Sequence, residues 1–143
     1  MPLLQRGVRI VAGRMPKIIG PSTHAVIDYA FAGSLLLAGA LLWKRNKRAA
    51  FGAFVCGGAA AANNLLTDYP GGVTELISYR DHGRIDTALT GLTATMPRLM
   101  DFDGEPEARF FGAKALADTL VIGLTNFDYY EKRSQVHQPS RHG

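Results

Sequence analysis

The sequence is poor in cysteine and lacks the motifs of the common enzyme classes. Its one cysteine, Cys56, excludes an intrachain disulfide and a metal cage built from cysteines. Cys56 stands in a run of glycine and alanine, which favours a small buried side chain over a reactive thiol. There is no G-x-S-x-G elbow, phosphate-binding loop, dinucleotide fingerprint or H-E-x-x-H motif. The sequence therefore names no reaction, and function has to be inferred from its architecture.

Charged residues are missing from two long stretches in the first half of the chain. Residues 29–43 and 49–66 contain none, although 20% of the whole chain is charged. Each belongs to a predicted helix of about twenty residues, the length that crosses the hydrocarbon core of a bilayer. The corresponding stretches of the second half contain Asp86, Arg98, Arg109, Lys114 and Asp118. The first half is thus compatible with lipid, and the second half is only partly so.

Acidic residues are absent from the first seventeen positions, and the positive charge of the chain is clustered. The net charge is +4, and one cluster is the turn KRNKR at residues 44–48. Such clusters suit anionic phospholipid head groups. No aromatic or glycine-rich platform accompanies them, so nucleic acid is not an expected partner. Membrane lipids are the expected partners.

An internal repeat is the strongest positive signal. HAVIDYAFAG at residues 24–33 returns as HGRIDTALTG at residues 82–91, with His, Ile, Asp, Ala and Gly at identical spacing. Further echoes are Phe51-Gly52-Ala53 with Phe111-Gly112-Ala113, and Asp68-Tyr69 with Asp128-Tyr129. The pattern indicates a tandem duplication of a unit of about sixty residues.

The repeat predicts an all-α fold, a transmembrane four-helix bundle of two tandem helical hairpins. The expected segments are a basic N-terminal extension at 1–17, hairpin repeats at 18–72 and 73–130, and a polar disordered tail at 131–143. The extension is expected to be disordered or to lie on a membrane surface. The general resemblance is to small bacterial membrane proteins with duplicated hairpins, which implies the bacterial inner membrane and transfers no residue roles.

Up-down connectivity brings the histidines and most of the aspartates of both repeats to one end of the predicted bundle. His24 and Asp28 are four residues apart, as are His82 and Asp86, so each pair lies on one helix face. A carboxylate so placed can orient its own imidazole or bind a ligand beside it. The helix ends that meet there also carry Asp68, Tyr69, Asp128 and Tyr129.

Three binding functions fit this set. In the first, His24 and His82 ligate the iron of haem b from both sides, with Asp28 and Asp86 as their hydrogen-bond acceptors. In the second, the histidines bind a divalent metal ion together with carboxylates. In the third, the histidines and aspartates pass protons or bind a coupling ion. The carboxylates expected to join the histidines in the metal site are Asp68 and Asp128.

An alternative function leaves the His/Asp motifs purely structural. They would then fix the docking of the two hairpins, since Asp near a helix N-terminus is favourable on its own account. The chain would be a non-catalytic accessory or scaffold protein in a larger membrane complex or a homo-oligomer. Lys114 and Asp118, four residues apart, are expected to form a surface or interhelical ion pair.

Overall fold

Six helices make up the part of the chain that the structure describes, residues 2–13 and 15–136 of a computed structural model. In chain order they are α1 (Pro2–Gly13), α2 (Pro21–Leu42), α3 (Lys47–Leu66), α4 (Tyr79–Leu99), α5 (Ala108–Leu124) and α6 (Tyr129–Val136). Within these residues there is no strand, only two isolated β-bridges. The prediction of an all-α fold is confirmed.

The four long helices pack as two hairpins. Helix α2 lies along α3, α4 lies along α5, and α3 and α4 join the hairpins, whereas α2 and α5 are not among the closely packed pairs of the described chain. The tight turn after α2 ends at Asn46, whose side chain accepts a hydrogen bond from the backbone N of Ala49 at 3.1 Å. This cap begins α3 in the antiparallel direction. Helix α4 continues through Pro97 to Leu99, beyond the break that proline favours.

Close approach of α2 and α3 depends on a glycine. A Cβ atom at Gly57 would lie 2.9 Å from Cβ of Leu35 and 3.1 Å from the backbone N of Leu36. The larger of two buried apolar clusters lies near this contact, where the hairpins meet. Its buried members are Leu35, Ala49, Ala53, Cys56, Met96, Phe102 and Phe111.

Ion pairs join the two interhelical turns at one end of the hairpins. Arg48 contacts Glu105 at 2.5 Å and Asp101 at 3.2 Å, and Arg45 contacts Glu107 at 3.6 Å. These acidic residues belong to the turn between α4 and α5. The basic turn suggested for phospholipid contact is therefore partly neutralised within the chain.

Both ends of the chain contain helices that the sequence did not suggest. Helix α1 packs against α4 and α5, in a segment expected to be disordered or to lie on a membrane surface. Helix α6 extends to Val136, into the segment expected to be a disordered tail. Residues 137–143, the rest of that predicted tail, lie outside the described residues.

Two helices, α2 and α3, are long and apolar enough to cross a membrane, judged by length and composition. The outer face of α2 carries exposed apolar side chains, with Val26 72%, Leu37 60% and Leu41 69% exposed. The first hairpin thus presents to its surroundings an apolar surface that the rest of the described chain leaves uncovered.

Candidate metal centre

Helices α2 and α4 bring four potential ligands together. Pro21 begins α2, and Ser78 caps α4 by accepting a hydrogen bond from the backbone N of Asp81. Each start places a histidine in the first turn and an aspartate one turn further along the same face. The set is His24, Asp28, His82 and Asp86. One ligand atom from each residue lies within 4.8 Å of the others, and both histidines are at least 99% buried.

The two Nε2 atoms face the same two carboxylate oxygens. Nε2 of His24 lies 3.1 Å from Oδ2 of Asp28 and 3.2 Å from Oδ2 of Asp86. Nε2 of His82 lies 2.9 Å and 3.0 Å from the same two oxygens. The two Nε2 atoms are 3.3 Å apart. The histidines thus share both aspartates, and each aspartate bridges the two helices.

Two threonine hydroxyl groups hold the other side of each imidazole ring. Nδ1 of His24 lies 2.8 Å from Oγ1 of Thr125, and Nδ1 of His82 lies 2.8 Å from Oγ1 of Thr67. Each hydroxyl donates its single proton to the backbone carbonyl four residues earlier, at 2.6 Å for Thr125 and 2.5 Å for Thr67. Since a hydroxyl has one proton, it accepts from the imidazole, and Nδ1 of each ring carries the hydrogen.

In a neutral imidazole this arrangement leaves the lone pair of Nε2 directed at the carboxylate oxygens. Carboxylates accept hydrogen bonds and do not donate them, so four acceptor atoms converge inside the protein. Such a convergence needs positive charge between the atoms. A divalent metal ion supplies it, and so does one additional proton on each imidazole.

The contacts around the site repeat at the spacing of the two histidines, which is 58 residues. Backbone N of Ile19 donates to the carbonyl of Leu124 at 2.8 Å, and backbone N of Ile77, at the same spacing, donates to the carbonyl of Leu66 at 2.9 Å. Each of these bonds joins the beginning of one hairpin to the end of the other. The two hairpins therefore surround the site in equivalent ways, and each histidine is oriented by a threonine from the opposite hairpin.

Aromatic rings close the outer end of the site. The ring of Tyr69 lies 5.0 Å from that of His82, and the ring of Phe127 lies 5.1 Å from that of His24. Phe127 comes this close because Gly83 has no side chain: a Cβ atom there would lie 2.7 Å from the Phe127 ring. Burial and the nearby Asp28 carboxylate raise the pKa of Tyr69. Its hydroxyl therefore keeps its proton and donates to Asp28 at 3.4 Å.

One hydrogen bond distinguishes the two aspartates. The side-chain amide of Asn63 donates to Oδ1 of Asp86 at 2.9 Å. The residue at the equivalent position of the second hairpin is Val121, which has no polar side chain to offer Asp28. The two carboxylates are therefore held by different donors, Asn63 for Asp86 and Tyr69 for Asp28.

A cavity of about 30 Å³ lies on the inner side of the site. Its lining includes His24, Asp28 and Asp86 and also Lys114 and Asp118 of α5. Nζ of Lys114 lies 2.6 Å from both carboxylate oxygens of Asp118, and the lysine side chain is only 8% exposed. The pair that the sequence suggested for the surface or for a helix contact is mostly buried and lines the same cavity as the His/Asp cluster.

The structure brings together only part of the set that the sequence suggested. Asp68 is exposed, and Asp128 forms an ion pair with Arg80 at 2.8 Å, so neither belongs to the four-residue group. Thr67 and Thr125 were missed. The signal for them is the dipeptide Leu-Thr, which ends both hairpins at the same 58-residue spacing as the histidines.

Comparison with protein-family models, with curated proteins and with solved structures finds no match to this chain. The functional argument therefore depends on the geometry of the site alone.

Proposed function

We propose that this chain binds one divalent transition-metal ion between His24, Asp28, His82 and Asp86. The observation that carries the proposal is the convergence of two Nε2 atoms and two carboxylate oxygens, with both Nδ1 protons already bonded to threonine hydroxyls. Metal-binding histidines typically donate their other ring N–H in this way, which fixes the ring and strengthens the ligand.

Distances and ligand types narrow the choice of ion. Adjacent ligands of a tetrahedral ion with bonds of about 2.0–2.2 Å lie roughly 3.3–3.6 Å apart, slightly farther than the Nε2–Oδ2 distances of 2.9–3.2 Å here. Two imidazoles and two carboxylates, without a thiolate, favour Zn²⁺, Fe²⁺ or Mn²⁺ over Cu⁺. A small outward movement of the four side chains would admit the ion.

Haem b is less well supported as the ligand. Two axial histidines need their Nε2 atoms roughly 4 Å apart, twice a metal–nitrogen bond of about 2 Å, with the porphyrin between them. Here the Nε2 atoms are 3.3 Å apart, and Oδ2 of both aspartates lies within 3.2 Å of them. The neighbouring cavity of about 30 Å³ is also far smaller than a porphyrin.

The proposal includes a membrane location, with the four long helices forming one bundle of two duplicated hairpins. Only 28% of the apolar 18-residue stretch of α2, and 44% of that of α3, is buried within the chain. The core helix of a soluble protein would be mostly buried, so lipid is a natural cover for this surface. Recovery of the chain with membranes after carbonate extraction tests this part of the proposal.

Metal analysis of the purified chain tests the binding site. After removal of bound metal with a chelator, the chain is titrated separately with Zn²⁺, Mn²⁺, Co²⁺ and, without oxygen, Fe²⁺, and stoichiometric binding of at least one ion is expected. His82→Ala should weaken binding more than roughly 100-fold, beyond the cost of losing an outer hydrogen-bond partner. Asp81→Asn is the matched control, because this neighbouring carboxylate is exposed and lies outside the site. A wild-type chain that binds none of these ions would disprove the proposal.

A second candidate function is that of an accessory membrane protein whose His/Asp cluster is purely structural. The observation in its favour is that each of the four side chains already has a partner in the opposite hairpin. With both imidazoles protonated, the cluster would be a buried network of ion pairs. This function predicts no bound metal, thermal unfolding unchanged by a chelator, and co-purification with a larger membrane complex.

A further inference from the structure

The cavity beside the metal centre contains an unsatisfied hydrogen-bond donor. Asn64 is 1% exposed and lines the cavity, and its Nδ2 atom has no acceptor within the described structure. A buried amide without a partner costs free energy. The donor is therefore available to a molecule that occupies the cavity.

The cavity is also the open side of the metal centre. The aromatic rings of Tyr69, Tyr79 and Phe127 cover the outer end, and Tyr79 stacks on His82 at 6.2 Å. On the inner side, three of the four ligand residues line the cavity, and His82 does not. A ligand added to the metal ion would therefore approach from the cavity.

The groups around the cavity define the kind of molecule that fits. With a divalent ion bound, the charges of Asp28 and Asp86 are balanced, and Lys114 balances Asp118. Asn64, with its unpartnered amide, and Lys114 are among the residues that line the cavity, so a ligand that accepts hydrogen bonds suits it. A cavity of about 30 Å³ holds about two water molecules, or a ligand of roughly two or three heavy atoms.

We propose that this cavity binds a small exogenous ligand of the metal ion, a hydroxide or a small linear anion. The metal binds one end of the ligand, and the Asn64 amide donates a hydrogen bond to it, with Lys114 also in the lining of the cavity. This proposal rests on the proposed metal-binding function and assigns to the same site an open coordination position.

Azide binding to the Co²⁺-loaded protein tests the proposal, because the visible spectrum of Co²⁺ reports changes in its ligands. Azide should change the wild-type spectrum in a saturable way. Asn64→Leu should weaken azide binding roughly tenfold or more, the cost of one hydrogen bond to a charged partner. Ala60→Leu, which fills the cavity without removing a polar group, should weaken it similarly. Both variants should still bind Co²⁺.

Ala62→Leu is the matched control, since it makes the same change on the exposed face of the same helix and should leave azide binding unchanged. A wild-type spectrum that azide does not alter would overturn the cavity proposal and leave the metal site standing, as would an Ala60→Leu variant with undiminished azide affinity. Failure of the wild-type chain to bind Co²⁺ would overturn both proposals.

Discussion

The two hairpins are alike in the histidines, aspartates and threonines that form the site and different in the residues beside the site and on their outer faces. Equivalent histidines, aspartates and threonines surround the site from both sides. Away from these positions, Cys56 and Ala60 of α3 correspond to Lys114 and Asp118 of α5 at the same 58-residue spacing. The second hairpin is also covered by α1, whereas α2 keeps an exposed apolar face.

This comparison separates the requirements of the site from those of the surroundings. The shared residues are those whose atoms converge on the proposed ion or orient its ligands. The differing residues lie beside the site. In the first hairpin they are the small residues Cys56 and Ala60, and in the second hairpin they are the buried ion pair of Lys114 and Asp118. Three sets of substitutions, which make one hairpin more like the other or disturb both equally, test this separation.

The largest effect is expected when the ion pair of the second hairpin is broken. Lys114→Met should leave the Asp118 carboxylate buried without its partner, at a cost of about 3–5 kcal/mol in the free energy of unfolding. The double variant Lys114→Met/Asp118→Leu should recover most of that loss, because well-packed apolar residues can replace a buried pair. Chemical denaturation of the single and the double variant, in the same detergent as the wild type, measures both free energies of unfolding.

The control for this prediction is Arg84→Met, which removes the exposed partner of Asp81. Its effect should stay below about 1 kcal/mol, as is usual for surface ion pairs. If the double variant were as unstable as the single variant, Lys114 would be needed for a contact other than its ion pair.

An intermediate effect is expected at the threonines that orient the histidines. Thr67→Val and Thr125→Val each remove the acceptor of one Nδ1–H group and should each weaken metal binding about 10–100-fold. Calorimetric titration with Zn²⁺ measures the change, and the serine variants, which keep the hydroxyl, should bind almost as the wild type does. Thr119→Val is the control, because its hydroxyl bonds only to a helix carbonyl. A large effect at one threonine alone would contradict the equivalence of the hairpins.

The smallest effect is expected at the aromatic cap. Tyr69→Phe gives the first hairpin the residue that the second already has at Phe127. The change removes a hydrogen bond of 3.4 Å to Asp28 and should cost about 0.5–1.5 kcal/mol of stability, with metal affinity changed by less than roughly tenfold. The same titration and denaturation measurements apply. Complete loss of metal would instead mean that Tyr69 is itself a ligand.

The sequence predicted the four converging side chains because two periodicities agree on them. A spacing of four residues puts each His and Asp on one helix face, and the 58-residue repeat puts both faces at the same end. The positions of Asp68 and Asp128 could not be predicted, because both lie beyond the last residue of a helix. There the side-chain direction depends on local turns, which helical periodicity does not describe.

Two of the sequence echoes, Phe51 with Phe111 and Asp68 with Asp128, are 60 residues apart, whereas the equivalent histidines are 58 residues apart. These echoes therefore pair residues that are not equivalent in the structure. Phe51 is 54% exposed, whereas Phe111, its partner in the sequence echo, is completely buried. The hydrogen bonds of Thr67 and Thr125 fix the register of α3 and α5 at the spacing of the histidines, and a continuous helix allows only one register. Similarly, Phe127 and not Tyr129 occupies the place equivalent to Tyr69.

Helix α1 also differs from the expectation of a disordered or membrane-surface segment. A short helix depends on tertiary contacts, which the sequence pattern does not reveal.

Because each hairpin supplies the threonine that orients the histidine of the other, neither hairpin alone contains all of the proposed ligands and their hydrogen-bond partners. A free hairpin would present one imidazole whose Nδ1 proton has no acceptor and one carboxylate without its bridging partner. Ion occupancy would then report whether the halves are joined, and a chain cleaved between Gly72 and Ser78 would regain its affinity only when the two fragments reassociate.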